Sequence, residues 1–83
     1  MAKRTAWTDQ ARLDLRSIEK SAALQILKTL ARYAKTGEGD TRQLQGVQPP
    51  LIRLRSQNYR LFFRDKGDVL EIARVLDRKD AYR

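Results

Sequence analysis

The chain has 83 residues, with 18 basic and 10 acidic side chains and neither histidine nor cysteine. This length supports one small hydrophobic core, so residues 1–83 are expected to form a single domain, held by packing or by a partner rather than by disulfides or cysteine-ligated zinc. Without histidine, Ser-His-Asp, Cys-His and paired-histidine catalysis are excluded, and the net charge of +8 favours an anionic partner without separating RNA, DNA and acidic protein.

Lys3 to Trp7 reads as a brief strand, because Thr8 is an N-cap type of residue and Asp9 places negative charge in the first turn of the helix that follows. Over Asp9 to Lys20, Ala11, Leu15 and Ile18 recur at helical spacing while Arg12, Arg16 and Glu19 fall elsewhere, so this helix buries one stripe, with Leu13 off it. Ser21 is the expected cap of a second helix, whose apolar face is Ala23, Ile26, Leu27, Leu30, Ala31 and Ala34 and which stops at Gly37. The two helices form an antiparallel hairpin. Arg12, Arg16, Lys28, Arg32 and Lys35 lie on its outer faces, where the usual role is solubility and the sharper one contact with a phosphate polymer. Residues 37–50 read as a long polar connection interrupted by Gly39, Gly46 and Pro49-Pro50, with Leu44 and Val47 tucked against the sheet. No apolar run reaches the roughly 18 residues needed to span a bilayer, and the amino terminus lacks the apolar core of a secretory signal, so a soluble cytoplasmic protein with no membrane partner is expected.

The last third holds most of the β-forming residues. In Leu51 to Arg55, Ile52 and Leu54 alternate with Arg53 and Arg55, the period of a half-buried strand. Ser56-Gln57-Asn58 is a tight turn, with Asn58 suited to a left-handed backbone, and Tyr59 to Arg64 is the returning strand. After Asp65-Lys66-Gly67-Asp68, Val69 to Leu76 has apolar residues at both parities and reads as a central or doubly covered strand. The expected class is α+β, in the order β-α-α-β-β-β, with the helical pair packed on a small antiparallel sheet. Residues 51–83 carry nine cations against five acids, and residues 1–50 carry the same numbers, so the charge is spread over the folded unit. Tyr59, Phe62 and Phe63 are either a base-stacking platform or core, and the core reading is preferred for Phe63.

The scattered carboxylates show no spacing that would gather a divalent ion, and no cofactor motif is present. What remains is arginine and tyrosine. Such a set suffices for phosphoryl chemistry at RNA, where the substrate supplies its own 2′-hydroxyl and catalysis is mostly orientation and charge stabilisation. Arg53 and Arg55 share the non-core face of their strand, Arg60 follows the hairpin turn, and Arg78 follows the last strand. Four guanidinium groups could therefore converge on one groove. Tyr82 can act as a base if its phenolate is stabilised, with Arg78, Lys79 and Arg83 at hand, or it can stack on a base, or simply pack the terminus on the sheet.

The run Arg53-x-Arg55-x-x-x-Tyr59-Arg60-Leu61-x-Phe63-Arg64, a turn, an apolar strand and the closing Arg78-x-x-Ala81-Tyr82-Arg83 resemble the carboxyl-terminal half of the RelE/ParE toxin superfamily of bacterial toxin–antitoxin systems, nearest its RelE-like ribonuclease branch. By that resemblance Arg53, Arg60, Arg78 and Tyr82 are the expected catalytic residues, and Arg55, Lys79 and Arg83 the expected RNA-binding ones. The implied activity is metal-independent, cofactor-free cleavage of messenger RNA in the ribosomal A site. The implied partners are an acidic antitoxin, messenger RNA, the ribosome, and operator DNA through the antitoxin complex. Leu51 stands where some members carry a lysine, which leaves the proton acceptor open. The resemblance also admits a ParE-like toxin that inhibits DNA gyrase by binding, and the charge alone admits a plain basic binding module.

Overall fold

The computed structural model describes residues 2–46 and 50–81. The expectations placed on Val47, Pro49, Tyr82 and Arg83 lie outside the described residues. The elements are β1 (Arg4–Trp7), α1 (Asp9–Arg16), α2 (Lys20–Thr36), β2 (Thr41–Leu44), β3 (Leu51–Ser56), β4 (Tyr59–Asp65), β5 (Val69–Asp77) and α3 (Arg78–Ala81). The class is α+β, with two helices on one sheet, as the sequence implies.

Local chemistry accounts for most boundaries. Thr8 caps α1: its backbone is extended and its Oγ1 accepts the Ala11 N–H at 3.2 Å. The same hydroxyl donates to the Ile72 carbonyl at 3.0 Å, which ties the start of the helix to β5. α1 ends at Arg16, earlier than its apolar stripe suggests, so Ile18 packs against the core from the connection rather than from the helix. α2 starts at Lys20 behind Glu19, and Ser21, the expected cap, instead donates its hydroxyl to the Glu19 carboxylate at 2.8 Å. At the other end Gly37 adopts φ 79° and donates to the Tyr33 carbonyl at 2.8 Å, the left-handed stop that glycine alone takes without steric cost.

The sheet has five strands in the order β1-β5-β4-β3-β2. Two features correct the sequence reading. β1 runs parallel to β5, so the sheet is mixed rather than antiparallel throughout. The helical hairpin carries the chain from β1 at one edge of the sheet to β2 at the other, and the three reversals through β3 and β4 to β5 bring it back beside β1 in the parallel sense. The connection after α2 also contains a strand, β2, paired with β3 from Thr41↔Leu54 to Leu44↔Leu51. Leu44 therefore lies in the sheet itself. β5 is flanked by β1 and β4, as its apolar composition implied.

β4 and β5 slip register at Phe62/Phe63: Phe62 faces Arg74 while Phe63 faces Ile72, so Ala73 opposes no residue of β4. That bulge explains why the alternation in β5 blurs. Val75 and Ile72, three positions apart, both sit opposite residues of one β4 face, Leu61 and Phe63. On that face the core gathers Ala11, Ile26, Leu30, Ala34, Leu54, Leu61, Phe63, Leu70, Ile72 and Val75. Tyr33 stacks on Phe63 with ring centroids 5.2 Å apart at 59°. Phe63 is therefore core, and the three aromatics make no common platform, since Tyr59 and Phe63 face the helices while Phe62 faces away. Among the described residues no helix is long and apolar enough to cross a membrane.

Candidate phosphate-binding face

The strand pairing that builds the core places arginines on the other face. Arg42 lies opposite Arg53, Arg53 opposite Phe62, and Phe62 opposite Arg74, one row across four strands. In the next row Arg55 lies opposite Arg60, and Arg60 opposite Leu76. Two of these contacts juxtapose like charges directly, an arrangement that costs a few tenths to about 1 kcal/mol each. A polyanion laid over Arg42, Arg53 and Arg55 would offset part of that cost.

The arginines are not equivalent. Arg53 is half-buried in the middle of the face. Arg55 is exposed and reaches Asp40 only at 3.9 Å. Arg64 sits at 3.9 Å from Glu71. Arg74 is committed to structure: its Nε donates to Asp14 Oδ2 at 2.8 Å, and the same carboxylate accepts the edge N–H of Val75 at 2.9 Å. Burial works against the charge on Asp14, but the hydrogen bonds from Arg74, Val75 and Gln10 outweigh it and hold its carboxyl below the ordinary range, while Asp14 raises the Arg74 guanidinium. At the far corner of the sheet Lys3 hydrogen-bonds Asp65 at 2.6 Å, which lowers that carboxyl too.

Arg60 is 4 % exposed, and its Nη1 donates to the carbonyls of Gln57 and Tyr59, both at 3.0 Å. It shares the face by register, yet its guanidinium is turned back to the hairpin. Arg78 is exposed at the start of α3, and its backbone N–H donates to the Asn58 carbonyl at 2.7 Å. Lys79 is exposed beside it, its N–H on Asp77 Oδ1 at 2.9 Å. The sheet thus brings Arg53, Arg55 and Arg60 onto one face, with Arg78 and Lys79 at its end, and Tyr82 and Arg83 lie outside the described residues. The turn residue with positive φ is Gln57 at 53°, not Asn58.

The sequence reading missed Arg42, because Thr41 to Leu44 was assigned to a connection; the alternation of Arg42 and Leu44 with Thr41 and Gln43 was the available signal. The clefts near Arg78 have a different character. One of about 450 Å³ is lined by Glu19, Ser21, Gln25, Asn58, Tyr59 and Asp77 among others. Another of about 320 Å³ includes Asp14, Asp77 and Asp80. Acidic side chains in these hollows make them less suited to phosphate than the arginine face. Among the described residues no three or more His, Cys, Asp or Glu side chains form a metal-binding group.

A family model described as ParE toxin of type II toxin–antitoxin system, parDE, matches residues 6–82. Comparison with curated proteins finds no significant match. Among solved structures, the fold is shared with several toxin chains, among them these three. In an archaeal RelE–RelB complex from Pyrococcus horikoshii OT3, identity is 22% and the TM-score 0.75, covering 94% of this chain and 97% of that one. For the toxin–antitoxin complex RelBE2 from Mycobacterium tuberculosis the values are 20%, 0.80, 94% and 93%. For a variant of the E. coli toxin RelE in the free state they are 22%, 0.74, 99% and 90%.

Proposed function

We propose, from the premise that this chain belongs to the ParE toxin family of type II toxin–antitoxin systems, that the toxin acts as a metal-independent endoribonuclease on messenger RNA in the ribosomal A site. The observation that carries this reading is the set of arginines on the sheet face away from the helices, where Arg42 opposes Arg53 and Arg55 shares the same side of β3. In the proposed reaction the 2′-oxygen of the substrate forms a new bond to the adjacent phosphorus and the bond to the 5′-oxygen breaks. The products are a 2′,3′-cyclic phosphate and a 5′-hydroxyl. The 2′-hydroxyl gives up its proton to a base, for which Tyr82 is the proposed group, and the leaving 5′-oxygen takes one up. Arg53 and Arg78 offset the charge that grows on the phosphoryl oxygens, and Arg55, Lys79 and Arg83 hold the flanking backbone. Brief expression followed by mapping of message 5′ ends tests this: new ends inside translated messages are expected, and intact messages in growth-arrested cells would refute it.

A second reading has its own support. The family model is that of ParE, and Arg60, one of the four expected catalytic residues, is enclosed in the hairpin. A toxin that inhibits DNA gyrase by binding would induce the DNA-damage response with messages uncut.

For the antitoxin we propose a docking site on α2. Leu24 (51 % exposed), Leu27 (39 %) and Ala31 recur at helical spacing on a side of the helix turned from the core, interleaved with Lys20, Lys28 and Lys35. An apolar stripe edged by cations fits an amphipathic acidic segment that folds as it binds. Ribosome, cytoplasmic location and operator DNA, the last through the antitoxin complex, follow as parts of the same proposal.

A further inference from the structure

Among the described residues Arg60 is the charged side chain that the fold encloses. Burying a guanidinium is costly unless its N–H groups meet acceptors, and Arg60 meets the backbone of the turn beside it, at Gln57 O and Tyr59 O. That turn is itself under strain. Gln57 holds φ 53° at the first central position of a two-residue hairpin, where glycine is the usual occupant. Such a backbone persists only where its surroundings impose it. On the outer side of the turn, the carbonyl of the next residue, Asn58, receives the N–H of Arg78 at 2.7 Å, at the point where the chain leaves β5 for α3.

We infer that Arg60 is a positioning residue. It clamps the Gln57–Asn58 turn from within, so that the Asn58 carbonyl fixes the start of α3 and places Arg78 relative to Arg53 and Arg55. Its guanidinium does not touch the phosphate. The inference rests on Arg78 being a working residue of the toxin, but not on which target the toxin attacks. Growth arrest is therefore the measure, and a wild-type chain that stops growth without cutting messages would end the nuclease reading and leave this one standing.

Arg60→Met keeps the bulk and removes the donors. Toxicity is expected to fall about 10²-fold, the scale of effect of a misplacement of about 1 Å. Adding Gln57→Gly, which makes positive φ available without steric cost, is expected to restore most of it. A folded Arg60→Met chain that stays fully toxic, or one that Gln57→Gly fails to rescue, overturns the clamp. Combining Arg60→Met with Arg78→Ala is expected to cost little more than either alone, because both act at one point; fully additive losses would instead mean independent contacts. Should Arg60→Met not fold, the wild-type toxin decides. Phenylglyoxal is expected to modify Arg78 and spare Arg60, and equal reaction at the two overturns the inference.

Discussion

The two faces of the sheet are made by the same strands under opposite rules. Toward the helices, Leu54, Leu61, Phe63, Ile72 and Val75 are closed off from water and each is accounted for by burial. On the reverse, Arg42 opposes Arg53 and Arg55 opposes Arg60, cation against cation, with the Arg60 guanidinium turned to the backbone of the hairpin. Phe62 and Phe63 mark the boundary, adjacent in the chain and on opposite sides. A face on which cations oppose cations is where a ligand's contribution is to be sought, and its charge suits an anion.

The largest expected effect falls on the arginine face. Arg53→Ala with Arg78→Ala should reduce toxicity by about 10³-fold or more, given that one lost charge-stabilising donor costs about 10²–10³-fold. Its melting temperature should stay near that of the wild type, and a fully toxic folded double variant would remove this face from the mechanism. On the helix side the expectation reverses. Phe63→Ala should destabilise by about 3–5 kcal/mol, read by denaturant unfolding, and little change there would mean that the core is not where the packing places it.

Smaller effects sharpen the contrast. Leu24→Ser with Leu27→Ser should change stability within about 0.5 kcal/mol and leave toxicity unchanged, while antitoxin affinity, measured by calorimetry, falls about tenfold or more, a loss of about 1.4 kcal/mol. Undiminished affinity would place the antitoxin elsewhere. Asp14→Asn tests the edge where the faces meet. The native carboxyl is held below its ordinary value of 3.8, so the unfolded chain binds that proton more readily. The stability it contributes is complete above the ordinary value and is lost as pH falls below it and through the folded-state value. The variant should therefore be less stable at neutral pH, by about 1–3 kcal/mol, and show a shallower acid limb. Parallel acid limbs would contradict the assignment.

Why some of this was legible before the fold was known is clear from single residues. Thr8 and Gly37 act on their own neighbours, through a side-chain oxygen and a permissive φ, so they mark helix ends wherever the helices go. The hairpin of β3 and β4 is likewise local, and the alternation of Arg53 and Arg55 with Ile52 and Leu54 states which side is wet. β2 escaped because Thr41, Arg42 and Gln43, three polar residues before Leu44, become a strand only when β3 offers its edge. Gln57 escaped because its positive φ is imposed by Arg60 and the closing strands, against its own preference.

By itself, then, the sequence determined the α+β class, the helical pair, the β3–β5 meander and the basic character of the surface, all of which follow from periodicity, caps and charge acting over a few residues. Only the tertiary structure decided the parallel pairing of β1 with β5, the bulge that lets Ile72 and Val75 share one core, the row that lines Arg42 up with Arg53, and the inward turn of Arg60. Each of these is a contact between segments distant in the chain, or a choice of direction forced by burial, and no local preference specifies it.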